Sequence, residues 1–334
     1  MQEGIFLTVE KVILSQLLKS EQYISGEQIS RELGVSRTAV WKHINELRQR
    51  GYQIESSSKK GYRLIEAADV LDESQIIRDR NGLLGSKIVH FYEIDSTNNY
   101  AKKLANEGCP DGTIVIAERQ SLGRGRLGRE WCSYNSDGIW FSCILRPNIE
   151  PESMQVITLA ASVAVVEAIE DTLGIVCGIK WPNDIILSGK KLGGILTELS
   201  AEPGHVNHIV LGIGINVNQP KDSFTGELEQ KAISLRMETG GRVSRALVFN
   251  NILRHLDNTY NQLLNGQNEV ILDDWRKYSV TLGSHIKLSF RGEEYTGIAN
   301  NIANDGRLIV KCSDGHVREV TAGEIQIRGI MGYL

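Results

Sequence analysis

The sequence predicts an α+β protein of three parts: a winged helix-turn-helix over residues 1–65, a central α/β domain on a mixed sheet over 66–280, and a small β-barrel of the SH3 type over 281–334. Three observations predict this fold class. Near the N-terminus, helical patterns and a tight turn precede a short hairpin. In the middle, strand-like runs alternate with a few long helices, and short β-runs with Asp-Gly turns fill the last part.

The N-terminal part has the pattern of two capped helices followed by a wing. Ser25 is placed to cap the first of them, with Gln28 completing a capping box. Gly34 begins a tight turn, and Ser36 caps the next helix, whose apolar residues form one face. We expect helices at 9–18, 25–33 and 37–48 and hairpin strands at 52–55 and 62–65.

Positive charge is concentrated in this N-terminal part. Residues 1–64 hold ten Lys and Arg against seven Asp and Glu, a net charge of +3, although the whole chain carries −4. Residues 36–63 alone hold seven basic and two acidic side chains, a net charge of +5. Such a local excess favours contact with phosphates, and therefore a role in DNA binding.

The second helix of a helix-turn-helix presents its outer face to the major groove. Arg can read guanine and Asn can read adenine, while Ser and Lys hold phosphates. A protein-interaction winged helix, with its charges merely solvated, is the alternative. The predicted DNA-binding residues are Ser25, Gln28, Ser36, Arg37, Thr38, Trp41, Lys42, Asn45, Lys59 and Lys60, with further phosphate contacts from Arg48, Arg50 and Arg63.

The central part predicts an antiparallel or mixed sheet. Short turns at 181–184 and 188–190 separate neighbouring strands, so these strands run antiparallel. A parallel, doubly wound sheet is therefore disfavoured. The expected strands are 87–94, 113–119, 138–145, 175–181, 191–199 and 208–217, and the expected helices are 97–107, 152–173, 244–264 and 269–277, after a connecting segment at 66–86.

A glycine-arginine segment, GRGRLG at 123–128, matches the GxGxxG pattern of dinucleotide-binding folds. That pattern should open a helix, whereas this segment runs through Arg129 and Trp131 into a predicted strand. Its arginines suit phosphate binding, although a flexible basic surface loop is the alternative. Two further strings, KWPND at 180–184 and KLGG at 191–194, place lysines at both ends of a short hairpin and could bracket a phosphate or acyl phosphate.

These strings, together with DSTN at 95–98, Gln120, and GIGIN at 212–216, resemble the successive motifs of biotin protein ligases. The winged helix and the small barrel are similar to those of the bifunctional bacterial ligase-repressors, so the resemblance covers nearly the whole chain. One departure is Leu127, where some members carry a further arginine. We expect it to alter the dynamics of the loop or the retention of the intermediate, and not to remove activity.

The resemblance implies an ATP-dependent enzyme that makes biotinyl-5'-AMP and transfers biotin to a lysine of a biotin carboxyl carrier domain. It implies Lys191, Arg126 and Lys180 as the catalytic residues. The implied biotin-binding residues are Ser96, Thr97, Asn98, Gln120, Arg124, Gly125, Arg126, Lys191, Gly194 and Gly214. The implied ATP- and phosphate-binding residues are Arg126, Arg129, Lys180, Asn183 and Asp184. No dedicated metal site is expected; Mg²⁺ would arrive with ATP, and Asp184 is its candidate ligand.

The resemblance also implies repression of biotin genes, with biotinyl-5'-AMP as corepressor and an adenylate-bound homodimer on operator DNA. Five scattered cysteines without a CxxC pair indicate reduced thiols in a cytoplasmic protein, and no signal peptide or membrane span is expected. Three alternatives remain: a biotin sensor without catalysis, a lipoate-attaching relative, and a ligase whose winged helix has lost DNA binding.

Overall fold

A computed structural model describes residues 3–49, 51–66, 69–71, 76, 82–151, 154–202, 205–290, 293–322 and 326–329. The chain divides into two compact units, 1–77 and 78–334. Within the described part of the chain, every helix is too short or too polar to cross a membrane. The second unit contains the central domain together with the small C-terminal domain, and the predicted boundaries at 65/66 and 280/281 remain predictions.

The first unit is the winged helix-turn-helix that the sequence predicts. Its core is formed by aliphatic residues from all three helices and the hairpin, among them Ile13, Ile29 and Ile44, each fully buried. Gly34 ends the second helix in the left-handed conformation, with φ +65°. The elements are α1 (Glu3–Lys19), α2 (Gly26–Leu33), α3 (Arg37–Gln49), β1 (Gln53–Ser57) and β2 (Gly61–Glu66).

The capping predictions are correct for Ser25 and Ser36 but wrong for the capping box. Ser25 accepts a hydrogen bond from the N–H of Glu27, and Ser36 from the N–H of Ala39. The Gln28 side chain instead donates to Glu32 Oε1, one turn further along the helix (3.0 Å). A carboxylate four residues away competes successfully for the amide because residues i and i+4 lie on the same helix face.

The central sheet is mixed, as predicted. Its seven strands follow the order β3-β4-β5-β9-β8-β7-β6, with β3 and β4 parallel and the other pairs antiparallel. The predicted strand 175–181 is shorter than expected: residues 175–177 are not part of the sheet, and Trp181 belongs to the turn to β7. The strands are β3 (Ile88–Ile94), β4 (Thr113–Gln120), β5 (Gly138–Leu145), β6 (Gly178–Lys180), β7 (Asp184–Leu187), β8 (Lys190–Glu202) and β9 (His205–Asn216).

Long helices cover the sheet. In α5, apolar side chains occur all around the helix and most are buried, which is typical of a helix enclosed by other elements. Beneath α8, Arg245 and Glu118 form a fully buried ion pair of 2.8 Å, and Arg245 also donates to the carbonyl of Gly138. The helices are α4 (Thr97–Asn106), α5 (Met154–Leu173), α6 (Leu228–Lys231), α7 (Leu235–Thr239), α8 (Arg245–Leu264) and α9 (Asn268–Tyr278).

The C-terminal domain is a five-stranded antiparallel sheet in the order β13-β12-β11-β10-β14. Its turns use Gly306 and Gly315 at positive φ, as the Asp-Gly pairs predict. The indole N–H of Trp181 donates to the carbonyl of Gly306 (3.1 Å), so this domain packs against the central one. The strands are β10 (His285–Phe290), β11 (Glu293–Ile302), β12 (Leu308–Cys312), β13 (Val317–Val320) and β14 (Gln326–Gly329).

Candidate active site

A cluster of cations surrounds one carboxylate at the end of the central sheet. Lys180 ends β6 and Asp184 begins β7, and the two are cross-strand partners. Lys191, from β8, places its Nζ 2.6 Å from Asp184 Oδ1. Burial lowers the pKa of Lys180 and nearby Lys191 lowers it further, while Asp184 opposes the shift. These lysines are therefore partly removed from water, where a further anion would be strongly attracted.

The glycine-arginine loop brings a third cation to this cluster. Arg126 donates to Asn183 Oδ1 (3.1 Å) and to the backbone carbonyl of Ala322 in the C-terminal domain. Burial lowers the pKa of Arg126 and Arg129 adds to the effect, while Asp184 opposes it. The segment around KWPND thus holds Arg126, Lys180 and Lys191 close to a single carboxylate. This arrangement is suited to binding a polyanion.

The glycine-arginine loop is a tight loop that is closed by backbone hydrogen bonds. Gly125 N–H donates to the carbonyl of Arg129 (2.7 Å), and Trp131 N–H to that of Gly123 (2.9 Å). A Cβ at Gly123 would lie 2.3 Å from the Trp131 carbonyl oxygen, so only glycine fits there. Leu127 is exposed and has φ 56°, an uncommon conformation for a residue with a side chain. The loop leads to β5 instead of opening a helix, which excludes the dinucleotide-binding arrangement.

Trp131 lies across a row of residues on three neighbouring strands. Trp140, Gly214 and Gly194 are successive cross-strand partners on β5, β9 and β8. The two tryptophan rings meet edge to face at 6.2 Å. A Cβ at Gly214 would be 2.7 Å from the indole nitrogen of Trp131, and one at Gly194 would be 3.4 Å from its ring. Lys191 Nζ lies 5.4 Å from the centre of that ring, which joins this aromatic wall to the cation cluster.

A buried polar network lies at the start of α4. Gln120 Oε1 accepts from the Thr97 N–H (2.8 Å), and its Nε2 donates to Ser133 Oγ (3.1 Å). Ser142 Oγ lies 2.8 Å from Thr97 Oγ1 and 2.5 Å from Asn98 Oδ1. These side chains come from two strands, a helix and the loop before β5, and their donors and acceptors are held in fixed directions.

Ser96 and Arg124 border this network. Ser96 is 2% exposed and is the N-cap of α4, yet within the described residues its hydroxyl makes no capping hydrogen bond. The place of Ser96 at the start of α4 would by itself indicate a helix-capping role, and the missing hydrogen bond does not support that role. Arg124 points toward α4, donating to Asn99 Oδ1 (2.9 Å), and is 4.0 Å from Glu198.

In the separate N-terminal unit, most of the predicted DNA-binding residues are exposed. Trp41, 56% exposed, lies on the outer face of α3. Asn45 is only partly exposed, and its Oδ1 accepts from Arg48 (3.1 Å). The exposed members are Ser25, Gln28, Ser36, Arg37, Thr38, Trp41, Lys42, Lys59 and Lys60.

Two of the arginines expected to contact phosphates also have hydrogen-bond partners within the N-terminal unit, and their contact with DNA stays a prediction. Arg48 donates to the carbonyl of Ile54 through both Nε (2.9 Å) and Nη2 (2.6 Å). Arg63 donates to Glu55 Oε2 (2.9 Å). Both guanidinium groups hold the wing in place, which the charge count alone could not distinguish from a role in DNA contact. Arg50 lies outside the described residues.

Comparison with known proteins finds matches to three parts of the chain. Residues 90–216 match the biotin/lipoate A/B protein ligase family, residues 10–63 an HTH domain, and residues 281–328 the biotin protein ligase C-terminal domain. The "Bifunctional ligase/repressor BirA" of Bacillus subtilis (strain 168) is 40% identical over 310 residues, covering 92% of this chain and 94% of that protein. The Escherichia coli (strain K12) protein of the same name is 31% identical over 315 residues, covering 94% and 96%.

The chain belongs to the family of bifunctional ligase/repressors. A solved structure supports the assignment: the biotin protein ligase of Aquifex aeolicus, in complex with biotin and ATP, matches with a TM-score of 0.63 and 28% identity. The match covers 73% of this chain and 99% of that one. Family membership thus rests on both the sequence and the fold.

For this family member, the structure groups the predicted ligase residues into two neighbouring sets, joined by Trp131 and Lys191. Three participants were missed by the sequence analysis: Ser133, Ser142 and Glu198. Ser142 lies within a strand that is buried along its whole length, and it carries no motif. Only the strand register, which sets Ser142 opposite Gly212, could have revealed it.

Proposed function

We propose that this chain is an ATP-dependent biotin protein ligase that also represses transcription through its winged helix. The observation that carries the ligase assignment is the gathering of Arg126, Lys180 and Lys191 about Asp184, beside a polar pocket of fixed donors and acceptors. A protein that only sensed biotin would not need a surface for phosphates. The family of the chain supports the same assignment.

In the first step, a carboxylate oxygen of biotin attacks the α-phosphorus of ATP. A new O–P bond forms, the bond to the β-phosphate bridging oxygen breaks, and pyrophosphate leaves with the electron pair. Lys191 and Arg126 are proposed to stabilise the negative charge that develops on the phosphoryl oxygens. Fixed cations in a partly dry site need no reorganisation during the reaction, so electrostatic stabilisation is effective.

The Lys191–Asp184 ion pair suggests how the lysine is kept ready. At 2.6 Å the carboxylate holds the ammonium group in place before substrates bind. Asp184 also provides a carboxylate for the Mg²⁺ that accompanies ATP, which commonly uses one or two protein carboxylates together with phosphate oxygens. When bound, Mg²⁺ would supply charge neutralisation on the phosphates.

In the second step, the ε-amine of the acceptor lysine attacks the acyl carbon of biotinyl-5'-AMP. An amide C–N bond forms, the C–O bond to the phosphate breaks, and AMP leaves. The amine loses a proton during this transfer. Neither step requires a covalent bond to the enzyme, so positioning and charge stabilisation are sufficient.

The biotin pocket is proposed to consist of the network at the start of α4, covered by the glycine-arginine loop. The biotin ring would face Ser96, Thr97, Asn98 and Gln120, and its tail would run over Gly194 and Gly214 toward Lys191. The small glycines and the Trp131 wall support this placement, because they leave an apolar surface between the polar pocket and the cations.

The decisive experiment compares Lys191→Met with Lys190→Met, its neighbour on the same strand. Lys190 lies 3.4 Å from the carbonyl of Glu229 and outside the cluster. With biotin and MgATP, we expect Lys191→Met to slow pyrophosphate release by about 100-fold or more, since charge-stabilising donors typically contribute that much. Lys190→Met should react at the wild-type rate. Equal rates in both variants would contradict the proposed mechanism. A separate competition experiment tests the substrate: if lipoate competes with biotin, the lipoate-attaching alternative is favoured.

For repression, we propose that biotinyl-5'-AMP acts as corepressor by favouring a homodimer. Two winged helices related by a two-fold axis would then bind a palindromic operator. The exposed α3 face and the local charge of +5 support DNA binding. The test is the molecular mass in solution with and without biotin plus MgATP. A monomer–dimer balance that does not change would rule out this link between ligation and repression.

A further inference from the structure

Glu198 lies on β8, the strand that also carries Lys191 and Gly194, at the opposite side of the proposed biotin pocket. Its side chain is 22% exposed. No motif includes it, and it does not belong to the cation cluster. Its contacts nevertheless connect three parts of the pocket.

The two carboxylate oxygens of Glu198 have different partners. Oε2 accepts from Asn98 Nδ2 (2.9 Å), and Oε1 accepts from Lys102 Nζ (2.6 Å). Arg124 Nη1 is 4.0 Å from Oε1. Burial alone would raise the pKa of Glu198, but the hydrogen bonds from Lys102 and Asn98 outweigh burial and lower it. Glu198 is therefore an anion at neutral pH.

An ionised carboxylate can only accept hydrogen bonds. Asn98 must therefore turn its NH₂ group toward Glu198, which directs its oxygen toward Ser142 Oγ, 2.5 Å away. Gly212 leaves the space for this amide, because a Cβ there would lie 2.1 Å from Asn98 Oδ1. Asn98 Nδ2 also donates to the carbonyl of Leu196, but over a longer distance of 3.5 Å. Glu198 is therefore the nearer and the charged acceptor that favours this orientation of the Asn98 amide.

We propose that Glu198 is a positioning residue that fixes the polarity of the Asn98 amide, anchors Arg124, and thereby sets the affinity for biotin. A ureido ring presents one carbonyl acceptor beside two N–H donors. If the Asn98 amide were reversed, its NH₂ group would face an N–H of the ring where its oxygen should accept, and that hydrogen bond would be lost. Glu198 acts on the ligand through Asn98 and Arg124 without touching it. The inference rests on the biotin pocket proposed above.

The test compares Glu198→Gln with Glu202→Gln, which makes the same change at an exposed position of the same strand. Glutamine keeps the shape but offers an NH₂ group, so the Asn98 amide can reverse. For Glu198→Gln we expect the KM for biotin to rise about tenfold, the effect of losing one charge-assisted hydrogen bond. The KM for ATP and kcat for pyrophosphate release should remain within about twofold of wild type. Glu198→Asp keeps the charge and should recover part of the affinity.

A purely structural role would lower the melting temperature and leave the KM for biotin unchanged, and that result would overturn the proposal. If Glu198→Gln does not fold, Lys102→Met serves in its place, because without the hydrogen bond from Lys102 the Glu198 carboxylate is free to turn away from Asn98. An unchanged KM for biotin in Lys102→Met would then refute the inference. Gln120→Ala tests the proposed biotin pocket separately from the role of Glu198. If Gln120→Ala raises the KM for biotin while Glu198→Gln does not, the pocket stands and only the role of Glu198 is refuted. If neither changes the KM, the proposed pocket is wrong.

Discussion

The contact between Gly214 and Trp131 provides a quantitative test of the aromatic wall. A Cβ at position 214 would lie 2.7 Å from the indole nitrogen, and ordinary van der Waals contact begins at 3.4 Å. In Gly214→Ala the indole must therefore retreat by about 0.7 Å, because the alanine is fixed to a central strand of the sheet.

The retreat would loosen two interactions of Trp131. Its contact with the Lys191 ammonium contributes about 0.5–1 kcal/mol, and its edge-to-face pairing with Trp140 contributes about 0.5–1.5 kcal/mol. If these contacts position Lys191 in the transition state, a loss of about 1 to 2.5 kcal/mol there corresponds to a rate reduction between about fivefold and 70-fold. The assay is pyrophosphate release with saturating biotin and MgATP.

Two comparisons isolate the cause. Gly241→Ala is the matched control, since its Cβ would meet nothing within 4 Å, and it should react like wild type. In a Trp131→Ala background, Gly214→Ala should slow pyrophosphate release little further, because the indole that the new methyl group would displace is absent. If Gly214→Ala slows the reaction equally in both backgrounds, the new methyl group acts on the substrate instead of the indole, and the reasoning is refuted.

Three further predictions concern stability and DNA binding. Glu118→Gln leaves a buried guanidinium without its counter-ion, so the free energy of unfolding in urea should fall by about 3 kcal/mol; a loss below about 1 kcal/mol would contradict this. The pKa of His255 is raised chiefly by its hydrogen bond with Glu167, so its stabilising effect is complete below pH 6.5 and disappears as the pH rises through the higher folded-state value. The melting temperature should therefore fall as the pH rises above 6.5, and it should fall less in His255→Gln. Equal pH dependence of the melting temperature in the two proteins would contradict the role of His255. Trp41→Ala should weaken specific operator binding about tenfold in fluorescence anisotropy without slowing ligation; slowed ligation would show that the residue acts elsewhere.

The sequence predicted the fold class and the elements well, because period, capping and turn residues act locally. Gly306 and Gly315 follow Asp in their turns, and α5 is predominantly apolar and buried from Val156 to Val166. The motifs also located Lys191 and Arg126 correctly in one cluster. Where the sequence analysis failed, the competing interaction was a tertiary or neighbouring contact. The Gln28 side chain, for example, donates to Glu32, one helical turn away, and does not complete the capping box.

The candidate site was only partly predictable because several of its contacts depend on strand register. Gly214 appears in the sequence as one of two glycines in a strand, and close strand packing would explain it equally well. Its cross-strand alignment with Gly194 and Trp140 explains it through Trp131. Glu198 likewise belongs to no sequence motif. Its proposed role depends on contacts with Asn98 and Lys102 of α4, which are about 100 residues away in the chain.

The hydrogen bond from Arg126 to Ala322 has an evolutionary consequence. The acceptor is a main-chain carbonyl, which every amino acid possesses. Substitutions at position 322 can therefore accumulate without cost to the arginine, provided that the path of the chain is preserved. Insertions or deletions between β13 and β14 would move the carbonyl and are expected to be selected against, so this domain should vary in composition but hardly in loop length.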